Sequence, residues 1–307
     1  MINFIYYYIR SMRLYCGFVT GAAVLAGCAA SRWFGPAGFG WREATVLAIG
    51  YLAWGVNQIF NDAGNLREDA VNAPHRPMVN GKLAKIPALA LSSGLMLVFG
   101  MVSCVLTPWT LLPIGAGAAL NLLYSPLKGV PVLGCVVYGL AIVMGAVYGW
   151  IGGSGGLPPD QEWQILGIIC LILLPSHVLM CHNSYFKDMD GDRAAGRKTL
   201  QTVCNPGISL WASGVLSVLY AFMLWDFVGM DTVQGRVVFA WLLVLTGWNL
   251  RNLVRRKYHA ATCSNIQLCV AQNLCVAVYF SSQWLAAMAG AFLLIALVFR
   301  WYPDEKE

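Results

Sequence analysis

The sequence predicts an all-α membrane protein: about nine transmembrane helices bundled around a central cavity in a single domain, 1–307. Three observations lead there. Of the 307 residues, 58% are hydrophobic and only 11% are charged, against about 25% charged in a soluble domain. Mean hydropathy is +0.63. Apolar runs long enough to cross a bilayer, about 20 residues each, recur along the chain. Finally, two short polar stretches, 57–69 and 187–198, break the pattern, each at the end of such a run.

The first run, 14–32, follows a basic start with Arg10 and Arg13. Within it, Leu25-Ala26-Gly27-Cys28 has the form of a lipoprotein cleavage box. Because a membrane domain follows, the run is expected to remain as the first span. The second, 43–61, leads into the first polar stretch and a connection over roughly 62–84. Spans 85–106, 108–126 and 132–153 come next. A Gly- and Pro-rich loop from Gly152 to Pro159, with Asp160 and Glu162, then reads as external. The span 163–183 runs into the second polar stretch. Spans 208–229, 236–255 and 282–301 complete the set. The segment 264–281 carries Asn265, Gln267, Gln272 and Asn273, so it reads as an interfacial or re-entrant helix.

Most of the 20 lysines and arginines fall on one side when the N-terminus starts in the cytoplasm and the spans alternate. That bias follows the positive-inside rule. The net charge of +6 therefore reflects membrane orientation, and no nucleic-acid role is expected because no soluble domain exists to read a groove. The 10 cysteines form no CxxC pair and lie mostly in apolar runs, as small buried hydrophobes do.

The two polar stretches follow the second and sixth spans and so end on the same side. Two four-helix halves, each giving an acidic helix end to a shared cavity, would produce this pattern. In the first stretch Asn57, Asn61, Asn65 and Asp69 are spaced by four and would share one face of a continuous helix. Asp62 adjoins them. In the second, Asp188 and Asp192 are again four apart, with Lys187, Arg193, Arg197 and Lys198 around them. Carboxylates at membrane ends are costly and point to function. Oxygen ligands on one face suit Mg²⁺, which keeps phosphate oxygens and waters in its shell. Ionisation of an allylic diphosphate needs this set: a metal and cations for the leaving group and an aromatic, apolar wall for the tail and the carbocation.

The run NDAGNLREDAVNAPHRPMVNGKL resembles the first signature of the UbiA-type intramembrane prenyltransferases, NDxxDxxxD followed by an Asn-Arg-Pro turn. The run KDMDGDRAAGRKTL resembles their second signature, DxxxD followed by Gly and a basic-Thr pair. Tyr124-Ser125-Pro126-Leu127-Lys128 is similar to the turn after the family's fourth span, and Arg13 sits where the family has an N-terminal Arg. The resemblance implies a nine-helix bundle with a cytoplasmic cap. It implies Asn61, Asp62 and Asp69 at one Mg²⁺, with Asn65 beside them, and Asp188 and Asp192 at the other. Arg13, Lys128 and Lys187 or Lys198 would contact the diphosphate. Tyr124 would shape the pocket near the reacting carbon, with Asn57 and Asn61 on the substrate side.

The sequence departs from the pattern twice. Asn65 replaces the middle aspartate, giving an oxygen ligand without charge, and His75 replaces the Asn before Arg-Pro. His75 is a candidate base toward an acceptor, and His182 a candidate for orienting a carboxylate. Trp54, Phe60, Tyr185 and Phe186 are candidate pocket liners.

The leading expectation is a transferase that ionises an isoprenyl diphosphate with Mg²⁺ in the lipid bilayer, its active site facing the cytoplasm. It passes the prenyl group to an acceptor, an aromatic ring being the expected class, and needs no cofactor beyond Mg²⁺. The alternative is a terpene cyclase on the same scaffold, in which the substrate's own double bond attacks. A transporter is disfavoured because no carboxylate lies deep within a span.

Overall fold

A computed structural model describes residues 2–33, 39–229 and 231–302 of the chain. In chain order the helices are α1 (Ile2–Ser11), α2 (Leu14–Trp33), α3 (Trp41–Gly64), α4 (Leu66–Asn72), α5 (Lys85–Leu106), α6 (Leu111–Leu127), α7 (Leu133–Ser154), α8 (Asp160–Ala194), α9 (Leu200–Val203), α10 (Pro206–Val228), α11 (Val233–Val254), α12 (Tyr258–Phe280) and α13 (Trp284–Phe299). A 3₁₀ turn, Pro108–Thr110, precedes α6. There is no strand among the described residues. Eight of their helices are long and apolar enough to cross a membrane; α3 is a more polar 24-residue helix, and α13 is a shorter apolar one. The chain is an integral, multi-pass membrane protein.

Most predicted spans match helices to within a few residues. The segment 264–281 does not behave as expected. It belongs to α12, a full-length helix buried along almost all of it. Its amides are buried in protein, where Asn265, Gln267 and Asn273 find partners. Asn265 Nδ2 donates to Met180 O at 2.8 Å, Gln267 Nε2 to Phe292 O at 3.1 Å, and Ser176 Oγ meets Asn273 Oδ1 at 3.0 Å. Polar residues in a span face the bundle interior and hydrogen-bond across helices, so α12 is a central post, packed on α2, α8, α11 and α13.

The other post is α2, pressed against α7. A Cβ on Gly149 would collide with Val24 O, so only glycine permits this approach. Cys28 Sγ donates to Gly149 O at 3.1 Å across the seam. The main apolar core lies around α2, α7, α8 and α12. By contrast α5 and α6 have mostly exposed apolar surfaces, as lipid-facing helices do. At 35 residues α8 extends about 52 Å at about 1.5 Å per residue. That exceeds the roughly 30 Å hydrocarbon core, so its acidic end projects beyond the membrane.

Candidate active site

The first polar stretch is not one helix. Gly64 ends α3 and Asn65 (φ −112°) starts α4. The expected continuous face is therefore bent, although Asn65 N still donates to Asn61 O (3.0 Å) and Asp69 N to Asn65 O (2.9 Å). Lys85 Nζ donates to Ala63 O at 3.0 Å, placing a cation on the carbonyl end of α3, where one is favoured. The second polar stretch does continue helically to Ala194. As expected, Asp190 then points away and pairs with Arg193 on the surface.

These two ends meet. One polar cavity of about 860 Å³ is lined by Arg13, Asn61, Asp62, Asn65, Asp69 and Arg76 from one side and by Tyr124, Lys128, Tyr185, Lys187 and Asp188 from the other. Asp62, 2% exposed, accepts from Arg13 Nη2 at 2.6 Å and from Gln58 Nε2 at 2.8 Å. Asp69 pairs with Arg76. Arg13 lies at the break between α1 and α2 with φ +48°, a strained conformation for a non-glycine residue that is held only where its surroundings enforce it. Lys128 Nζ donates to the fully buried Asp192 at 2.8 Å and lies 5.3 Å from the Tyr185 ring centre.

The charges are set against burial. Burial pushes the Asp69 carboxyl up; Arg76 pulls it down and Asp62 pushes it up, and the net direction is up. Burial alone would lower the Lys128 ammonium, but Asp188 and Asp192 outweigh it and hold Lys128 above its usual range. Behind the cavity, Glu68 accepts from Arg197 Nε at 2.7 Å. Burial raises Glu68, but the hydrogen bond and charge of Arg197 win, and its pKa is lowered.

An oxygen-seeking cation fits this set. Asn65 Oδ1 and Asp69 Oδ2 are buried without a hydrogen-bond partner. All the candidate ligands are oxygens, as a hard ion requires. Among the described residues no three carboxylate, His or Cys side chains form a self-sufficient metal cage. A cation here would therefore need further oxygens from outside the protein.

A second, apolar cavity of about 890 Å³ continues from the first. Trp54, Gln58, Asn61, Tyr124 and Tyr138 line both and form the shared wall. Tyr185 Oη donates to Tyr124 Oη at 3.2 Å, and Tyr138 packs between Tyr124 (5.6 Å) and Trp54 (6.0 Å). Asn57 lines only the apolar side, facing Asn121 Nδ2 at 3.5 Å.

The structure does not gather every expected residue. Lys198 is exposed and outside both cavities, and Asp192 lies behind Lys128 without lining either. Trp54 and Tyr185 line cavities, but Phe60 and Phe186 do not; Phe186 packs with Leu253 and Ala261. His182 is buried between Gln201 and Ser209 O, a packing role. His75 lines a small side vestibule with Arg10, Arg13 and Arg76. Sequence reasoning missed Gln58, Arg76, Tyr138 and Asn72. Gln58 precedes Asp62 by four residues, a readable signal. Arg76 lies in the Arg-Pro turn of the first signature, a position whose partner is set by the fold and not by the motif. Tyr138 carried no signal.

The UbiA prenyltransferase family model matches residues 17–266. The bacteriochlorophyll synthase 33 kDa chain of Rhodobacter capsulatus is 28% identical over 209 residues, covering 59% of this chain and 66% of that one. A digeranylgeranylglyceryl phosphate synthase of Methanopyrus kandleri is 28% identical over 181 residues, covering 59% and 64%. The chain thus spans just under two thirds of the length of these curated relatives. The fold is similar to the apo UbiA homolog from Aeropyrum pernix K1 (TM-score 0.68, 16% identity, 90% of this chain and 98% of that one). It is also similar to a UbiA homolog from Archaeoglobus fulgidus bound to GPP and Mg²⁺ (TM-score 0.60, 16% identity, 92% and 99%). With the matched region running from α2 into α12 and both acidic helix ends converging on one cavity, the chain belongs to the UbiA prenyltransferase family.

Proposed function

We propose that the protein ionises an isoprenyl diphosphate in the polar cavity and transfers the prenyl group to an acceptor, an aromatic ring being the expected class. The observation that carries this reading is the shared wall: a chamber of paired acids and bases opens directly into an apolar one. A diphosphate ester of a hydrocarbon chain has those two halves.

Asn61, Asp62, Asn65 and Asp69 would hold one Mg²⁺ and Asp188 the other, with Asp192 acting from behind. The ion supplies charge neutralisation for the departing diphosphate. Arg13, Arg76, Lys128 and Lys187 bind the same oxygens. The carbon–oxygen bond breaks with its electron pair leaving on the diphosphate, and these cations stabilise that charge. Trp54, Tyr124 and Tyr138 present ring faces to the allylic cation and exclude water from it. The acceptor's electron pair then forms the new bond, and the acceptor loses a proton to regain neutrality. The excess of Lys and Arg on the cavity's side supports a cytoplasmic active site, and the relatives' names support a transferase.

The test is diphosphate release by the purified protein with Mg²⁺ and a prenyl diphosphate, with and without phenolic or aromatic-acid acceptors. Acceptor-dependent release with a prenylated product is expected, and Asp62→Ala and Asp188→Ala should each lower it on the order of a hundredfold or more. Release without acceptor, with a cyclic product, would assign the site to a terpene cyclase instead. No release under any condition would refute the reading.

A further inference from the structure

The far end of the apolar cavity would act as its floor, and the depth to it bears on which substrate fits. From Asn61, at the wall shared with the polar compartment, α3 lines the cavity as far as Ile49. That is about 18 Å along the helix at about 1.5 Å per residue. At the far end Ile49, Val24 and Tyr148 line it. Val24 and Tyr148 are buried, and Tyr148 Oη is hydrogen-bonded to Ser103 Oγ at 2.8 Å. That bond ties α7 to α5, so the ring is anchored at both ends and cannot swing aside without leaving a buried hydroxyl unpaired.

Each isoprene repeat adds four main-chain bonds of about 1.5 Å, or about 5 Å when extended. A depth of about 18 Å therefore takes about three to four repeats below the diphosphate. We infer that Tyr148, with Ile49 and Val24, sets the prenyl length, and that farnesyl and geranylgeranyl diphosphates are the fitting substrates. This rests on the prenyl diphosphate reading above. Ala53, about two thirds of the way down the same wall, lies about 12 Å below Asn61. A large side chain there would halt the tail after about two repeats.

The test titrates the purified protein and Mg²⁺ with geranyl, farnesyl, geranylgeranyl and hexaprenyl diphosphates. Binding is measured by calorimetry and turnover by diphosphate release. Affinity should rise to the farnesyl–geranylgeranyl range and fall at least tenfold at hexaprenyl. Tyr148→Ala should move that fall to longer chains, and Ala53→Phe should move the optimum to geranyl. Ala53→Phe, checked for an intact size-exclusion profile, keeps the test decisive if Tyr148→Ala does not fold. Equal handling of all lengths, or a fall that neither substitution moves, would overturn the floor; the tail would then leave sideways into lipid. Absence of binding by every prenyl diphosphate would instead remove the functional reading on which the inference stands.

Discussion

The Asn72 side chain clasps the backbone of the second acidic motif beside Gly191: its Oδ1 accepts from Gly191 N at 2.7 Å and its Nδ2 donates to Asp188 O at 3.0 Å. This amide joins α4 to the end of α8 and so holds the two acidic stretches together. A Cβ on Gly191 would collide with the Asn72 amide and come within 2.6 Å of Glu68 O. A backbone carbonyl cannot yield as a flexible side-chain end can. Gly191→Ala should therefore push α4 away, costing about 1–3 kcal/mol, typical of overpacking. It should also weaken turnover more than Gly167→Ala at an exposed position of the same helix, where an added Cβ meets nothing. Thermal unfolding in detergent and a Mg²⁺ titration of activity would check both.

Asp69 is raised from the ordinary aspartate value, chiefly by burial, against the pull of Arg76. A raised acid takes up its proton at higher pH than a free aspartate, about 3.9. If Asp69 holds Mg²⁺ as proposed, protonation removes a ligand charge, and turnover should fall on acidification at a pH above that value. Proton and metal compete for the same oxygens, and added Mg²⁺ should shift the fall to lower pH. A pH–rate profile at two Mg²⁺ concentrations reads this directly; an acid limb that Mg²⁺ does not move would count against Asp69 as a ligand.

Asn65 offers one buried oxygen where the family pattern has a carboxylate. Asn65→Asp should be tolerated, since the backbone bonds of the α3–α4 junction are unchanged, and should lower the Mg²⁺ concentration giving half-maximal activity. A large loss instead would mean that the amide donor is itself required.

Lys128 and Asp192 form a buried pair, 6% and 0% exposed. Lys128→Met leaves a buried carboxylate unpaired, which should cost about 3–5 kcal/mol. Adding Asp192→Leu should restore much of that stability by removing the orphan charge, while turnover stays low because the cation beside Asp188 is gone. Melting temperatures and diphosphate release of the two variants separate stability from chemistry.

Hydrophobic periodicity and the distribution of Lys and Arg were sufficient for the membrane class, for most spans and for the shared side of both acidic motifs. These are properties of contiguous residues, set by the cost of placing each side chain in lipid or water. The role of α12 was not legible, because Asn265 and Asn273 look unfavourable in a span until Met180, Ser184 and Ser176 are seen to satisfy them. The bend at Asn65, the removal of Lys198 from the cavity, and the pairing of Asp192 with Lys128 likewise depend on neighbours distant in sequence. Local chemistry thus determined which residues are candidates for the proposed diphosphate site. Only packing decided which of them share a cavity, because burial and partner geometry, not residue type, set whether a charged side chain binds substrate or holds another in place.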